Sequence, residues 1–311
     1  MKKISFLFVL TLLLGLLAGC ADTPAVSHTG YDSPENDRTD VQIPTVQENP
    51  PHETPVVTQG PLKTGLYIGA SVTDDLFDAI IVAVLVDDNG VIADCAIEGY
   101  SENIATYKDF GLITNRKKVK SYGEDGTIAE WSEQADAMVK YSIGKTVDEL
   151  KNGDIDCSGY ATMNCVAGIE AAVANAQHLG AQSGDKLQLA VEGMFDPFNS
   201  IANVQAAAVS MDGDVITSCV IDELEGRSPY KNLQTRNQLG DQDTWDLISS
   251  IGTEWYQQAA SFSAYVTGMT GAEVDRIATD ESGCPTDAQL AGSVDFCITI
   301  YQILIVRACT Q

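Results

Sequence analysis

The sequence predicts an α+β fold in which two tandem copies of a small antiparallel sheet each carry helices packed on one face. Three observations support this prediction. The chain matches itself at one constant offset, as Trp131 and Trp255 illustrate at a separation of 124 positions. In each copy a β-hairpin pattern comes first, and helical patterns follow it. Strands and helices that are segregated along the chain in this way are typical of α+β proteins.

The self-match extends over two groups of residues. In the first group, Asp88, Val91, Ile92, Cys95 and Ile97 correspond to Asp212, Val215, Ile216, Cys219 and Ile221. In the second group, Glu130, Trp131, Gln134, Ala135, Tyr141, Gly144, Thr146 and Glu149 correspond to Glu254, Trp255, Gln258, Ala259, Tyr265, Gly268, Thr270 and Glu273. A fixed period of this kind indicates a duplicated structural unit. The folded part therefore divides into residues 63–182 and residues 183–311.

Each copy is predicted to contain a hairpin. In the first copy, two apolar, β-rich runs lie on either side of Asn89-Gly90, a dipeptide that favours a type I′ turn. The second copy has the same pattern, with its turn at Asp212-Gly213. Within the flanking strands, the equivalent residues Cys95 and Cys219 are predicted to be buried as small hydrophobic side chains.

Helical patterns follow each hairpin. The first is apolar on one face and begins near Trp131 and Trp255, which are predicted to pack in the core. A glycine suited to a helix C-terminus ends it in both copies. Thr146 and Thr270 are predicted N-caps of a short second helix. The last element of the first copy is also helical in pattern, so its β-branched counterpart near residues 298–306 is assigned as a helix by analogy.

The N-terminal residues have the pattern of an export signal. Lys2 and Lys3 precede an apolar run that is shorter than the ~20 residues a membrane-spanning helix needs. Leu17-Ala18-Gly19-Cys20 resembles a bacterial lipobox, which implies cleavage before Cys20 and diacylglycerol on its sulfur. The alternative is an ordinary signal peptide followed by a chance cysteine. Residues 1–19 are therefore expected to be a signal peptide, and lipid on Cys20 to anchor the protein at the extracytoplasmic face of the cell membrane.

Residues 20–62 have the composition of a tether. Seven of the ten prolines lie there, and Tyr31 is the only aromatic residue among them. Such a segment cannot bury enough apolar surface to offset its ordering entropy, so it is predicted to be disordered. The net charge of −26 argues against nucleic acid as a partner and against direct docking on an anionic lipid surface.

The segment DIDCSGYATMNC, residues 154–165, admits three interpretations. Its first, third, fifth and sixth residues are Asp, Asp, Ser and Gly, as in an EF-hand calcium loop, but Cys165 stands where that loop requires a glutamate. In the second interpretation, Thr162 or Asn164 simply begins the following helix, since Asn is a preferred N-cap. The third interpretation is a site of flavin attachment.

The third interpretation rests on a resemblance. The tandem plan, the lipobox and an Asp…Ala-Thr sequence before an apolar helix together resemble the FMN-binding-domain family of bacterial lipoproteins, which includes two-copy pheromone-type lipoproteins associated with extracellular electron transfer. The family motif, Asp-x-x-Ser-Gly-Ala-Thr, is matched by Asp156, Ala161 and Thr162. Gly159 and Tyr160 depart from its Ser-Gly pair. The resemblance implies that a flavin transferase joins FMN through its phosphate to Thr162, with Asp156 and Ala161 in the binding site.

The second copy lacks the attachment residue. After an insertion, Asp295 stands at the position of Thr162, now at an offset of 133. A carboxylate has no hydroxyl from which to form the phosphoester, and its charge repels a phosphate. At most one covalent FMN is therefore expected per chain.

The sequence offers few residues for other kinds of catalytic or metal site. The folded part contains one histidine, His178, and no Cys-x-x-Cys, so no metal site, thiol-redox motif or Ser-His-Asp triad is predicted. The sequence predicts a monomeric, membrane-anchored extracytoplasmic lipoprotein that passes electrons to a redox partner and is not an enzyme in its own right. The alternative is a non-redox surface lipoprotein that binds a small ligand or a protein partner through the cleft between the copies.

Overall fold

The computed structural model describes residues 60–73, 76–101, 131–153, 160–196, 201–227, 233–243 and 249–311. It describes the side chains in these ranges apart from those of residues 71–73, 76, 101, 131–134, 160–164, 195–196 and 227. The predicted signal peptide and nearly all of the tether, including Cys20, lie outside the described residues, and so does Asp156.

Within the described residues, the first copy has three strands followed by three helices. They are β1 (Lys63–Thr73), β2 (Leu76–Val86), β3 (Ile92–Ser101), α1 (Trp131–Ser142), α2 (Val147–Asn152) and α3 (Tyr160–Ala174). The second copy contains β4 (Lys186–Asp196), β5 (Ile201–Asp212), β6 (Val215–Arg227), α4 (Arg236–Leu239), α5 (Trp255–Val266), α6 (Gly271–Val274), α7 (Ala288–Ala291) and α8 (Thr299–Cys309). A 3₁₀ turn, Gly240–Gln242, follows α4. Helices α5, α6 and α8 repeat α1, α2 and α3.

Each copy forms an antiparallel sheet, in the strand orders β1-β2-β3 and β4-β5-β6. This confirms the predicted α+β fold of two small sheets with helices. The hairpin prediction covered only the second and third strand of each sheet. It omitted β1 and β4, since the glycines in β1, Gly65 and Gly69, weaken the strand pattern there.

The two copies use the same hydrogen bonds where the sheet meets the first helix. The N–H of Gly144, after α1, donates to the carbonyl of Ile92 at 2.7 Å, and the N–H of Gly268, after α5, donates to the carbonyl of Ile216 at 2.8 Å. Both glycines have positive φ, at 80° and 88°, which is the conformation that favours glycine after a helix. The predicted helix ends are therefore confirmed in both copies.

The short second helices are capped identically. Thr146 accepts a hydrogen bond from the N–H of Glu149, whose side chain accepts one from the N–H of Thr146. Thr270 and Glu273 form the same reciprocal capping box. Both predicted N-caps are confirmed, and they add a second pair of local contacts conserved at the 124-residue offset.

The hairpin turns differ from the prediction in detail. In the first copy the N–H of Gly90 donates to the carbonyl of Asp87, so Asp88 and Asn89 are the central residues of the turn. Gly90 follows them with a φ of 80°. The Asp87 carboxylate accepts hydrogen bonds from the N–H groups of Asn89 and Val91, which stabilises this arrangement over the predicted type I′ turn at Asn89-Gly90. In the second copy, Gly213 and Asp214 form the turn, one position beyond the prediction.

Both faces of each sheet are buried. Alternate residues of β2 face different layers, because successive side chains of a strand point to opposite faces. Val82, Val84 and Val86 pack against the helices of the first copy, whereas the odd-numbered residues from Phe77 to Leu85 pack against the other sheet. In β5, Ala207 and Val209 face the helices and Val204 and Ala206 face the first sheet. The described residues therefore form a sandwich of helices, sheet, sheet and helices.

The sheets meet in a pseudo-two-fold arrangement. The hydroxyl groups of Thr64 in β1 and Ser218 in β6 share a hydrogen bond of 2.6 Å. At the equivalent place on the opposite side, the Asp94 carboxylate in β3 accepts a hydrogen bond of 3.0 Å from the N–H of Leu187 in β4. β1 of the first copy thus contacts β6 of the second, and β4 of the second copy contacts β3 of the first. Equivalent strands make equivalent contacts on the two sides, which is the pattern of an isologous interface.

One close approach positions α3 on its sheet. A Cβ atom on Gly65 of β1 would collide with the carbonyl oxygen of Ala172 in α3. Gly168, on the same helix, approaches Val82 closely enough that a Cβ atom would lie 2.7 Å from its Cγ2. Small residues at these two points let the helix backbone lie close to the strands and fix its height above the sheet.

Candidate functional site

The residue predicted to hold flavin lies at the start of a helix. Helix α3 begins at Tyr160, so Ala161 and Thr162 are its second and third residues. The side chains of residues 160–164 are not described, and Asp156 lies outside the described part of the chain. The backbone therefore places Thr162 in the first turn of a 15-residue helix that packs on the sheet.

The helix start also bears on the two competing interpretations of residues 154–165. Asn164 was a candidate N-cap, but it lies inside the helix, one turn after its start. In an EF-hand loop, residues 160–165 would be loop positions 7 to 12, yet the chain is helical there. Cys165, at position 12, is buried against the sheet with 1 % exposure. The Asn164 N-cap is therefore wrong, and the helix from Tyr160 onward departs from the second half of an EF-hand loop, whose first half, residues 154–159, lies outside the described residues.

The residue types at this helix start fit a phosphate ester. Thr162 provides the hydroxyl, and the first turn contains no acidic residue that would repel a phosphate. The first N–H groups of any α-helix lack partners within the helix, and the helix dipole favours negative charge there. The first turn of α3, which contains Thr162, is therefore of the kind that binds phosphate.

The second copy differs at the equivalent position. At an offset of 133, the buried residues Ile169 and Ala172 of α3 correspond to Gln302 and Ile305 of α8, which are also buried. At this offset Asp295 is the residue that aligns with Thr162. Helix α8 starts only at Thr299, so Asp295 lies in the loop before the helix and not in its first turn.

Asp295 is held by a set of converging donors. Its Oδ2 atom accepts hydrogen bonds from the hydroxyl groups of Ser249 and Ser250, at 3.0 and 2.8 Å, and from the N–H groups of Ser250 and Ile251. The N–H of Asp295 donates to the buried side chain of Gln258 at 2.8 Å. Burial raises the pKa of Asp295, but the polar side chains of Ser250, Gln258 and Ser249 around the carboxylate outweigh it, and the net pKa lies below its ordinary value.

A groove of about 770 Å³ lies between the copies. The first copy contributes β1 and the chain after α3, and the second contributes β6, α4 and α5. Among the described residues, its lining contains one carboxylic acid, that of Asp222, no Lys, Arg or His, and five carboxamides, those of Asn175, Gln177, Asn237, Gln238 and Gln257. Twelve residues of helix, about 18 Å, separate Thr162 from the groove end of α3. The groove is therefore a different place from the predicted flavin site.

A buried carboxyl lies at the wall of this groove. Asp222 is 3 % exposed, and burial raises its pKa from 3.8 to about 7, against hydrogen bonds from Thr235 and from the N–H groups of Asn237 and Glu223. A carboxyl that titrates near neutral pH beside a groove is a common feature of functional sites.

The neighbouring carboxylate, Glu223, belongs to a buried network. It accepts hydrogen bonds of 2.9 Å from Asn203 and from the hydroxyl of Tyr301. Arg236 of α4 lies 3.8 Å from Glu223 and forms two hydrogen bonds, of 3.0 and 3.1 Å, with Asp243. The network thereby ties α4, at the rim of the groove, to the sheet.

Sequence reasoning missed this acidic pair. The available signal was the presence of two adjacent acidic residues, Asp222 and Glu223, inside the apolar run of β6. At the 124-residue offset, the residue of the first copy that corresponds to Glu223 is Gly99. The adjacent acidic pair therefore occurs in the second copy and is not repeated in the first.

The predicted core residues are where the pattern placed them. Trp255 is 1 % exposed and packs against Phe296 and Tyr301, with ring centroids 5.5 and 6.1 Å away. Trp131 begins α1 at the equivalent position, although its side chain is not described. Cys95 and Cys219 are buried, and burial raises the pKa of each thiol to about 12. The two cysteines are therefore unreactive core residues.

Two searches of the described residues give negative results. No group of three or more His, Cys, Asp or Glu side chains in the described ranges is arranged to hold a metal ion. No helix there is long and apolar enough to span a membrane. Comparison of the chain with models of protein families, with curated proteins and with solved structures found no match.

Proposed function

We propose that this protein is a lipid-anchored extracytoplasmic carrier of a single covalent FMN, held by Thr162 of the first copy. The observation that supports the proposal is the start of α3 at Tyr160, since the backbone of Thr162 then lies in the first turn of a 15-residue helix. Helix N-termini bind phosphates through their N–H groups and their dipole. When bound, the flavin would supply the redox chemistry of the protein.

The chain's own contribution would be to attach and orient the cofactor. Thr162 would form the phosphoester, and Ala161 would leave room beside it for the phosphate. The absence of acidic residues from the first turn of α3 keeps this end of the helix favourable for an anion, in a chain whose net charge is −26. The lipobox at Leu17-Ala18-Gly19-Cys20 would keep the carrier at the membrane, where it would meet a redox partner.

The test is the intact mass of protein co-expressed with a flavin transferase. One FMN adduct is expected, and it should disappear in Thr162→Ala. Thr299→Ala is the matched control, because Thr299 begins the equivalent helix α8 of the second copy and is exposed. Tyr160→Gly should raise the adduct yield, since it restores the glycine of the family motif. An unmodified mass for both the parent protein and Tyr160→Gly would refute the proposal.

The groove between the copies supports a second candidate function, the binding of a small, neutral, polar ligand. The described part of its lining offers five carboxamides and a carboxyl with a pKa of about 7, and no side chain of Lys, Arg or His. Amides supply both donors and acceptors, which suits a ligand that carries hydroxyl or amide groups. In this function the protein would not be a redox carrier.

Native mass spectrometry of protein extracted from its host distinguishes this candidate. A bound mass other than FMN should be present, and Ala264→Trp, which fills the groove, should remove it. Ala272→Trp is the control, because Ala272 is also an exposed helical alanine but lies on α6, away from the groove. Loss of the bound mass in both variants, or in neither, would exclude the groove as its site.

A further inference from the structure

We propose that the loop Ser249–Ile251 of the second copy is an oxyanion-binding site, which the protein fills with its own Asp295 carboxylate. Four donors from three consecutive residues converge on one oxygen atom, Oδ2 of Asp295. Two of them are backbone N–H groups and two are hydroxyl groups. Successive N–H groups that form a concave turn are a recurrent way of binding anions, phosphate in particular.

The donors are oriented by a buried side chain. Gln258, which is 0 % exposed, donates to the hydroxyl oxygen of Ser249 at 3.0 Å and to the carbonyl of Thr253 at 2.9 Å. Because Ser249 accepts this bond, its own hydroxyl hydrogen is left to point at Asp295. The Gln258 oxygen holds the backbone N–H of Asp295. One side chain therefore fixes both the donors and the anion that they surround.

The site holds its anion through neutral hydrogen-bond donors, with no cation among them. None of the four donors is charged, and the other carboxylate oxygen, Oδ1, is buried and accepts no hydrogen bond from the described residues. The donors therefore concentrate on a single oxygen position. An oxyanion with more oxygens than a carboxylate, such as phosphate, could occupy that position while using its remaining oxygens elsewhere.

The position of Asp295 gives this site a meaning in the duplicated fold. In the sequence, Asp295 aligns with Thr162 at an offset of 133, and Gln258 aligns with the identical residue Gln134 at an offset of 124. This interpretation rests on the proposed function. Where one copy would hold a phosphate bound to threonine, the other places a carboxylate. The Asp295 side chain would then occupy the place of the cofactor's phosphate and keep the loop Ser249–Ile251 hydrogen-bonded in a copy without flavin.

The test removes the carboxylate and supplies inorganic phosphate. The unfolding midpoint of Asp295→Ala is measured in increasing phosphate, with chloride at matched ionic strength as reference and no flavin transferase present. Phosphate should stabilise Asp295→Ala beyond its effect on the parent protein. At a phosphate concentration tenfold above its Kd, the unfolding equilibrium constant should fall about 11-fold. Adding Ser250→Ala, which removes one hydroxyl donor, should weaken this response.

The matched control is Asp287→Ala. Asp287 also accepts hydrogen bonds from two backbone N–H groups, as the N-cap of α7, but it is exposed and accepts no hydrogen bond from a serine hydroxyl group among the described residues. It should lose stability without gaining a phosphate response. If Asp295→Ala does not fold without phosphate, its refolding yield in phosphate and in chloride replaces the midpoint, and phosphate should raise the yield.

Equal responses to phosphate in Asp295→Ala, Asp287→Ala and the parent protein, or equal refolding yields in the two salts, would overturn the oxyanion site. These results are independent of the mass of the Thr162 adduct. A missing adduct with a positive phosphate response would remove the proposed flavin and leave the oxyanion site standing. An adduct with no phosphate response would support the proposed flavin and overturn the oxyanion site.

Discussion

The hydroxyl groups of Thr64 and Ser218, which belong to different copies, share a buried hydrogen bond of 2.6 Å. Ser218 also bonds the hydroxyl of Ser210 at 2.7 Å, and Ser210 bonds that of Thr217 at 2.6 Å. Thr217 donates to the carboxylate of Asp185 at 2.5 Å. A chain of hydroxyl groups thus runs from the interface between the sheets to a carboxylate at its end.

Ser218→Ala should destabilise the protein by about 1–3 kcal/mol, because it leaves the buried hydroxyl groups of Thr64 and Ser210 without their shared partner. The free energy of unfolding from chemical denaturation measures the effect. Ser261→Ala is the control, since Ser261 bonds only a carbonyl of its own helix, and its cost should stay within about 0.5 kcal/mol. Equal costs for the two variants would show that the chain does not contribute to stability.

Asp222→Asn should change how stability depends on pH. Burial raises the pKa of Asp222 from 3.8 to about 7, so between these values the folded state holds a proton that the unfolded chain has released. The contribution of Asp222 is therefore present below pH 3.8 and is lost as the pH rises to about 7. An amide does not titrate, so the stability of Asp222→Asn relative to the parent protein should increase from pH 5 to 7 and level off above.

Chemical denaturation at half-unit steps from pH 5 to 8 measures this difference. Glu273→Gln is the control, because hydrogen bonds from Thr270 lower the pKa of Glu273 and that carboxyl is ionised throughout this range. Its difference from the parent protein should not vary with pH. A flat difference for Asp222→Asn as well would contradict the raised pKa.

Gly65→Ala should destabilise the first copy by about 1–3 kcal/mol, the range for overpacking a tight contact. The added methyl group would collide with the carbonyl oxygen of Ala172, which belongs to the helix backbone and cannot rotate away. Thermal unfolding measures the loss. Gly292→Ala is the control, since its methyl group would lie 3.8 Å from the Ala288 carbonyl oxygen, which is an ordinary van der Waals contact. An unchanged midpoint in Gly65→Ala would place α3 farther from β1.

Cys20→Ser should release the protein from the membrane fraction. The lipobox provides one thiol for the lipid, and serine cannot form the thioether. Fractionation of host cells and the mobility of the protein on a gel measure the result. Cys157→Ser, which changes a cysteine outside the lipobox, should leave the protein membrane-bound. Membrane association with unchanged mobility in Cys20→Ser would mean that the lipobox interpretation is wrong.

The parts of the fold that sequence could predict are those encoded locally. The capping boxes at Thr146 and Thr270 and the helix-ending glycines need only neighbouring residues, and the constant offset showed each of them twice. The α+β class followed from the order of these local patterns. Trp255 was predicted to be buried because its size and place on the helical face leave few alternatives.

The parts that sequence could not predict depend on distant partners. β1 contains Gly65 because α3 lies directly above it, a relation that spans more than a hundred residues of chain. The site residues behave in the same way. Thr162 was found through a motif, whereas the donors to Asp295 come from a loop about 45 residues earlier, and the partners of Glu223 come from α4, α8 and β5.

The face-to-face packing of the sheets constrains how this protein can be divided. A separated first copy would expose the side of β2 that carries Phe77, Ile81 and Leu85, all of which are 0 % exposed in the intact chain. An apolar face of that kind needs a complementary partner or aggregates. Since the interface is isologous, a second molecule of the same copy offers that complement. The tandem chain is thus equivalent to a homodimer whose subunits have been fused, and the short connection between α3 and β4 replaces bimolecular assembly by a high effective concentration.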